Sequence, residues 1–431
     1  MTSPLLATFR KAYRDLELFP LLTAAEIEAF RVNYGRETLA RLEQAVDDAP
    51  PDGKIIFAGH RGCGKSTLLA EFSKQMMGQG YFVVFFSIAN MVEMSAVDHI
   101  NILYAIAVQL LSKDTERQVA IPEKTKTAIL TWLTTTRTET ASRDLKSELG
   151  VGGDALALIT AKLKAESAFR EEIKRTYERR ISDLVKQVEE TARQIREATK
   201  KEILVVIDDL DKLDLKLVEE IYQNNINALF QPNFRIVFTI PISVIRDIEL
   251  RTILETTGSP IQKMEVAKFF DRDGRHDPHA IPADKKVSVF LDVLKKRIPD
   301  ELIEPETAKQ IVLTSGGIIR ELVRIARACC SQCLLLIRSE PDRSDIKIND
   351  EILQLALREL RNDFAASLGE SRYTILATTY RHAEPTEITD PEFLILLHGL
   401  YILEYRNDDL WYDVHPIVVE LLWRRKLIES C

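Results

Sequence analysis

"KIIFAGHRGCGKSTLLAEFSKQM", residues 54–76, decides the fold. A short apolar run enters Gly59-His60-Arg61-Gly62-Cys63-Gly64-Lys65-Ser66-Thr67, and a helical pattern of apolar positions follows. This is G-x-x-x-x-G-K-[ST] in the strand–loop–helix setting that the motif requires. The glycines let successive main-chain N–H groups wrap an anion, and the helix N-terminus turns its positive dipole end toward it. The reading predicts a phosphate cradle lined by Gly59, Gly62, Cys63 and Gly64. Lys65 would reach the β- and γ-phosphates of ATP or ADP, Ser66 would ligate Mg²⁺, and Thr67 would sit nearer the α-phosphate.

Working outward, "YFVVFFSI" (81–88) is almost wholly apolar, as a strand covered on both faces should be. "ILVVIDDLDKL" (203–213) is a second such run that ends in acid. A helix near 215–230, the strand "RIVFTIPI" (235–242), another helix and "IQKMEV" (261–266) complete the alternation. Strands alternating with helices from a phosphate loop predict an α/β fold: a P-loop NTPase parallel sheet with helices on both faces. Asp208 would end its strand holding Mg²⁺ through water, and Asp209 would orient the attacking water. Asp209 is one methylene shorter than the glutamate usual there, and a displacement of about 1 Å costs on the order of a hundredfold in rate. Slow ATP hydrolysis is the expectation. Asp211 either assists or caps the next helix.

At 431 residues the chain suits two or three domains. Its net charge of −8 opposes a general affinity for nucleic acid without excluding a local basic patch. No charged start leads into an apolar signal core, and the run at 81–92 is far short of the roughly 20 residues that span a bilayer. The chain reads as cytoplasmic. Cys329, Cys330 and Cys333 fall on one helical stretch and read as small buried residues rather than as a metal site.

Further stretches resemble the AAA+ ATPases, and among them the STAND and origin-recognition-like branches. "VNYGRETLARLEQAV" (32–46) is similar to the family's G-R-E box, which packs against adenine, with Arg36 as the matching arginine; the alternative is a simple helix-start residue. Thr239, late in the fourth strand, falls where the family keeps sensor 1 near the γ-phosphate, or else caps its strand. "SGGIIRELVRIARACC" (315–330) resembles the lid helix, with Arg320 in the sensor 2 position; otherwise Arg320 is a surface arginine. The family also takes an arginine finger from a neighbouring subunit, for which Arg246 and Arg251 are candidates, although either could pair with Asp247, Glu249 or Glu255 on its own helix.

Toward the C-terminus, "GLYILEYRNDDLWYDVHPIVVELL" (399–422) places two alternating runs around Asn407-Asp408-Asp409, a turn signal, and predicts a β-hairpin wing. A winged-helix domain follows from it. In STAND switches a winged-helix histidine contacts the β-phosphate of ADP, and His415 matches that position; the alternative is a helix-start histidine bonded to local backbone. The stretch before the wing, "DPEFLILLHGL", is apolar with acid at its front, so DNA contact through this face is disfavoured.

The expected organisation is an N-terminal helical segment with the G-R-E-like box over 1–50, an ATPase core over 51–112 and 201–270, a helical insertion over 113–200, a helical lid over 283–340 and a winged-helix domain over 345–431. In the insertion, Phe169, Ile173, Tyr177, Ile181, Leu184, Val188, Ala192 and Ile195 form one continuous helical stripe. It suits either a hairpin packed on its own core or an arm for a partner. The resemblance implies self-association and a separate effector or sensor, in the manner of ATPases of bacterial antiviral defence. Two alternatives stay open: an AAA+ regulator on DNA, and a scaffold that holds nucleotide without hydrolysing it.

Overall fold

In the computed structural model, residues 4–117, 129–133, 154–255, 258, 261–406 and 409–429 are described. The chain forms two compact units. One gathers residues 37–58 and 69–263; the other gathers 1–36, 59–68 and 264–431. The phosphate loop therefore groups with the N-terminal helices and the C-terminal half, a division that runs across the sequence-based domain boundaries.

The first unit is built on the sheet. Its strands are β1 (Lys54–Gly59), β2 (Phe82–Ser87), β3 (Ile203–Asp208), β4 (Arg235–Pro241) and β5 (Gln262–Met264), in the order β2-β3-β4-β1-β5. β2 and β3 run parallel with Phe82 opposite Ile203 and Ser87 opposite Asp208. β3 and β4 are parallel from Leu204–Arg235 to Ile207–Phe238. Every residue of β1 and β3 is buried, which is why their sequences run apolar without alternation.

The stripe expected as one helix over 169–195 is two. Ser167–Tyr177 and Ile181–Thr199 are separated at residues 178–180. The break has a packing cause: both helices lie against the His99–Glu116 helix, which a straight rod could not achieve. Phe169, Ile173 and Tyr177 bury the first face, and Leu184, Val188, Ala192 and Ile195 the second. The Phe169 ring meets Tyr104 edge-on at 6.1 Å. The glycines at 150–153 lie outside the described residues. The helix expected near 215–230 is also interrupted, as Leu215–Glu219, a π-turn Glu220–Asn224 and Ile226–Phe230. Asp214, not Asp211, caps its start by accepting from the Lys216 N–H.

The second unit is helical apart from one hairpin. Pro4–Asp15 packs on the long Ile319–Ser339 helix, where the Arg327 guanidinium lies 4.3 Å over the Tyr13 ring. Thr23 and Glu26 form a reciprocal capping box on Ala24–Phe30. Asp350–Ala365, Glu370–His382 and Pro391–His398 precede β6 (Ile402–Arg406) and β7 (Leu410–Val414), and Pro416–Arg424 follows. β6 and β7 are antiparallel from Ile402–Val414 to Arg406–Leu410. Tyr405 and Trp411 stack across them at 4.6 Å. This is the winged hairpin; residues 407–408 of its turn lie outside the described residues.

Cys329, Cys330 and Cys333 are buried within the Ile319–Ser339 helix, and burial pushes the Cys330 and Cys333 thiols up to about 12. They are inert packing residues. Among the described residues no helix is long and apolar enough to cross a membrane.

Candidate nucleotide site

The phosphate loop leaves β1 at Gly59 and turns through Gly62 at φ +78° and Gly64 at φ +105° into the Lys65–Gly78 helix. Both angles lie where a side chain is strained, so the glycines are a backbone requirement. Cys63 is fully buried. Lys65 is also buried, its ammonium donating to the carbonyls of Gly59 at 2.8 Å and His60 at 2.7 Å. Ser66 and Thr67 are half-buried on the first helical turn. Thr67 Oγ1 accepts from the Leu21 N–H at 3.0 Å and so ties down the N-terminal segment.

Two elements of the same unit close on this loop. The Arg320 N–H donates to the Gly62 carbonyl at 3.0 Å, and a Cβ on Gly62 would come 2.5 Å from the Arg320 Cβ. Arg320 thus stands on the first turn of its helix with the base of its side chain packed over Gly62. The paired glycines before it have a separate reason. Gly317, at φ +81°, passes so close to Ala267 that a Cβ would sit 1.8 Å from the Ala267 carbonyl oxygen. From the hairpin, the Glu404 N–H donates to His60 Nε2 at 2.9 Å.

Near Gly64, Tyr34, Met264 and Ile319 are the closest groups, and the Tyr34 hydroxyl donates to the Glu265 carbonyl at 3.0 Å. Gly35 at φ +77° is pressed against Met264 and Leu68. Arg36, one residue on, is exposed at the start of Arg36–Asp48.

In the sheet unit, Asp208, Asp209 and Asp211 are buried together, with carboxylate oxygens within 4.8 Å of one another. Hard oxygen donors in that grouping fit Mg²⁺, and Asp208 with Asp211 would supply them. Asp209 stands in the left-handed region at φ +70°. Its carboxylate accepts from Ser87 Oγ at 2.5 Å and pairs with the Lys212 ammonium at 2.5 Å.

Four further candidate residues sit as follows. The Thr239 hydroxyl lies between main-chain groups, donating to the Ile207 carbonyl and accepting from the Leu210 N–H, both at 3.1 Å. His415 is the cap of Pro416–Arg424: its Nδ1 accepts from the Ile417 N–H at 3.2 Å, and the ring is fully buried against Phe364. Burial pushes its pKa down to about 3, so the ring is neutral and its 3.7 Å approach to Glu321 is not an ion pair. Among the arginine candidates, Arg251 pairs with Glu255 one turn on at 2.8 Å, and Arg246 is buried.

The loop, the acidic strand and their spacing agree with a known family over one stretch of the chain. Residues 33–223 match the AAA ATPase domain. Comparison with curated proteins returns no match. Among solved structures, Cdc6p from Pyrobaculum aerophilum is similar at 11% identity and a TM-score of 0.39, over 92% of this chain and 94% of that one. Drosophila ORC bound to DNA is similar at 11% and 0.39, over 96% and 91%. Aeropyrum pernix ORC1 in complex with DNA is similar at 10% and 0.38, over 94% and 97%.

The AAA ATPase domain match takes in the phosphate loop and the Asp208–Asp209 pair and ends before Thr239, Arg320 and His415. Sequence reasoning missed Ser87, Lys212 and His60. Ser87 could have been found as the polar end of an otherwise apolar strand; His60 is a variable position of the motif and carries no signal.

Proposed function

We propose that this chain binds ATP through its AAA ATPase domain, hydrolyses it slowly, and acts as a nucleotide-dependent switch. The observation that carries the reading is the double hold on the phosphate loop, from Arg320 to Gly62 and from Glu404 to His60. A nucleotide in the loop would lie beside both contacts, and a difference in its binding energy between held and released arrangements is the condition for a switch. Lys65 would serve the β- and γ-phosphates, Asp208 would hold Mg²⁺ and Asp209 would orient the attacking water. The separate partner protein enters the reading through the sequence resemblance to STAND switches. The test is nucleotide content after purification together with ATP turnover per subunit over a wide range of protein concentration, with Lys65→Ala as the blank. Retained ADP with slow, Lys65-dependent turnover supports the reading. Turnover equal to the blank with no nucleotide retained ends it.

A second reading is an AAA regulator working on DNA. The Gly-Gly-x-x-Arg context of Arg320, with its helix docked on the phosphate loop, suits it equally, and two of the similar structures are described with DNA. The net charge of −8 weighs against it. Double-stranded DNA at low salt should then change ATPase rate or sedimentation; no change in either removes this reading.

A further inference from the structure

Ile207 and Leu210 flank the carboxylate pair, and one side chain holds both. Thr239 Oγ1 donates to the Ile207 carbonyl and accepts from the Leu210 N–H. A threonine hydroxyl has one proton, so this bridge uses its whole donor capacity. The side chain is fully buried, and the Tyr222 hydroxyl in the π-turn lies 3.5 Å from the Thr239 carbonyl oxygen. Between the bridged groups the chain passes through Asp209 at φ +70°, ψ 2°. A left-handed aspartate costs about 1 kcal/mol or more and persists only where its surroundings hold it.

We propose that Thr239 is a positioning residue: it fixes the direction of the Asp208 and Asp209 carboxylates through the main chain and does not touch phosphate. The proposal rests on the ATPase reading above. Two anchors then define the catalytic carboxylate. The bridge sets where Asp209 leaves the backbone, and Ser87 and Lys212 hold its far end. Without the hydroxyl, the buried Leu210 N–H loses its acceptor, and the turn relaxes toward the right-handed region that aspartate prefers. The carboxylate moves with it.

The test compares Thr239→Val, which keeps the shape, with Thr239→Ser, which keeps the hydroxyl. Two quantities are read: steady-state ATP turnover, and amide hydrogen exchange at Leu210. Thr239→Val is expected to lower kcat about a hundredfold while half-saturation by ATP stays unchanged, since positioning rather than binding is lost. Leu210 exchange should rise about tenfold. Thr239→Ser should rescue both. Unchanged Leu210 exchange in Thr239→Val overturns the proposal, and it does so even if turnover falls, because that combination means direct contact with phosphate. If Thr239→Val does not fold, the wild-type exchange map decides: Leu210 must exchange as slowly as the β3 amides, and exchange at the rate of exposed loops refutes the bridge. A wild-type protein that binds no ATP defeats the proposed function instead, while Leu210 exchange still judges the bridge.

Discussion

The ring of His60, the second residue of the phosphate loop, accepts a hydrogen bond at 2.9 Å from the main-chain N–H of Glu404, 344 residues later in the chain. Glu404 lies on β6, the strand of the hairpin next to the Gly316 turn, where a Cβ on Gly316 would meet Leu403 at 2.5 Å. Hairpin, glycine turn and phosphate loop are therefore in one contact chain within one unit. Replacing His60 by alanine leaves the Glu404 N–H without this acceptor, at a cost of about 1 kcal/mol. His60→Ala should release bound ADP about fivefold faster, measured by chasing a fluorescent ADP analogue. An unchanged release rate would mean that the hairpin does not sense the loop.

Lys65→Ala separates a working site from a structural ligand. The ammonium is bonded to two loop carbonyls, and its loss should leave the protein melting within about 5 °C of wild type. Nucleotide affinity should fall at least tenfold to a hundredfold, the usual loss for charge-assisted hydrogen bonds. Calorimetry with ADP checks the second point and thermal melting the first. A variant that fails to fold would instead mark the nucleotide as a scaffold component.

Gly317→Ala tests the turn that presents Arg320. The new methyl would overlap the Ala267 carbonyl at a positive φ, so a loss of about 3 kcal/mol or more is expected. Gly78→Ala is the control, because nothing lies within 4 Å of its Cβ and it ends its helix without a positive φ. That change should stabilise by about 0.4–1 kcal/mol through the lower entropy of the unfolded chain. Urea unfolding of both proteins measures the difference.

His415 gives stability a definite dependence on acid. Its folded pKa of about 3 lies below the ordinary 6.5, so the unfolded chain takes the proton first. The stability held by the neutral buried ring is complete above pH 6.5 and is lost as pH falls from there toward 3, at about 1.4 kcal/mol per pH unit. Glu321 at 3.7 Å works in the opposite direction, because burial raises its own pKa, and Arg324 bound to its carboxylate limits that opposition. His415→Asn retains a cap acceptor and should flatten the urea-unfolding pH profile between pH 6.5 and 4. A variant with the wild-type slope would assign the acid sensitivity elsewhere.

Much of this architecture is legible in the chain itself. Four largely buried strands and a glycine-rich loop announce themselves because apolar runs and a fixed motif are local signals, and the hairpin follows from its two runs. The insertion was less legible: spacing gives the face of a helix but not where it must fold back to reach the His99–Glu116 helix. Side-chain roles were least legible. Thr239 and His415 both occupy positions that suit phosphate contact, yet a hydroxyl or an imidazole near a strand or helix end meets backbone groups just as readily, and only the fold decides which. His60 and Ser87 acquire their partners from segments 344 and 122 residues away, beyond any local pattern.

The most direct test of the switch is amide hydrogen exchange at Glu404 and Arg320, the two N–H groups that hold the phosphate loop, in Mg·ADP and in Mg·ATP, with Lys65→Ala in parallel. The account predicts that protection of both amides differs between the two nucleotides in the wild type and does not respond to either in Lys65→Ala. Identical protection in ADP and ATP would contradict it, because the loop could then change its nucleotide without the lid helix or the hairpin registering the exchange.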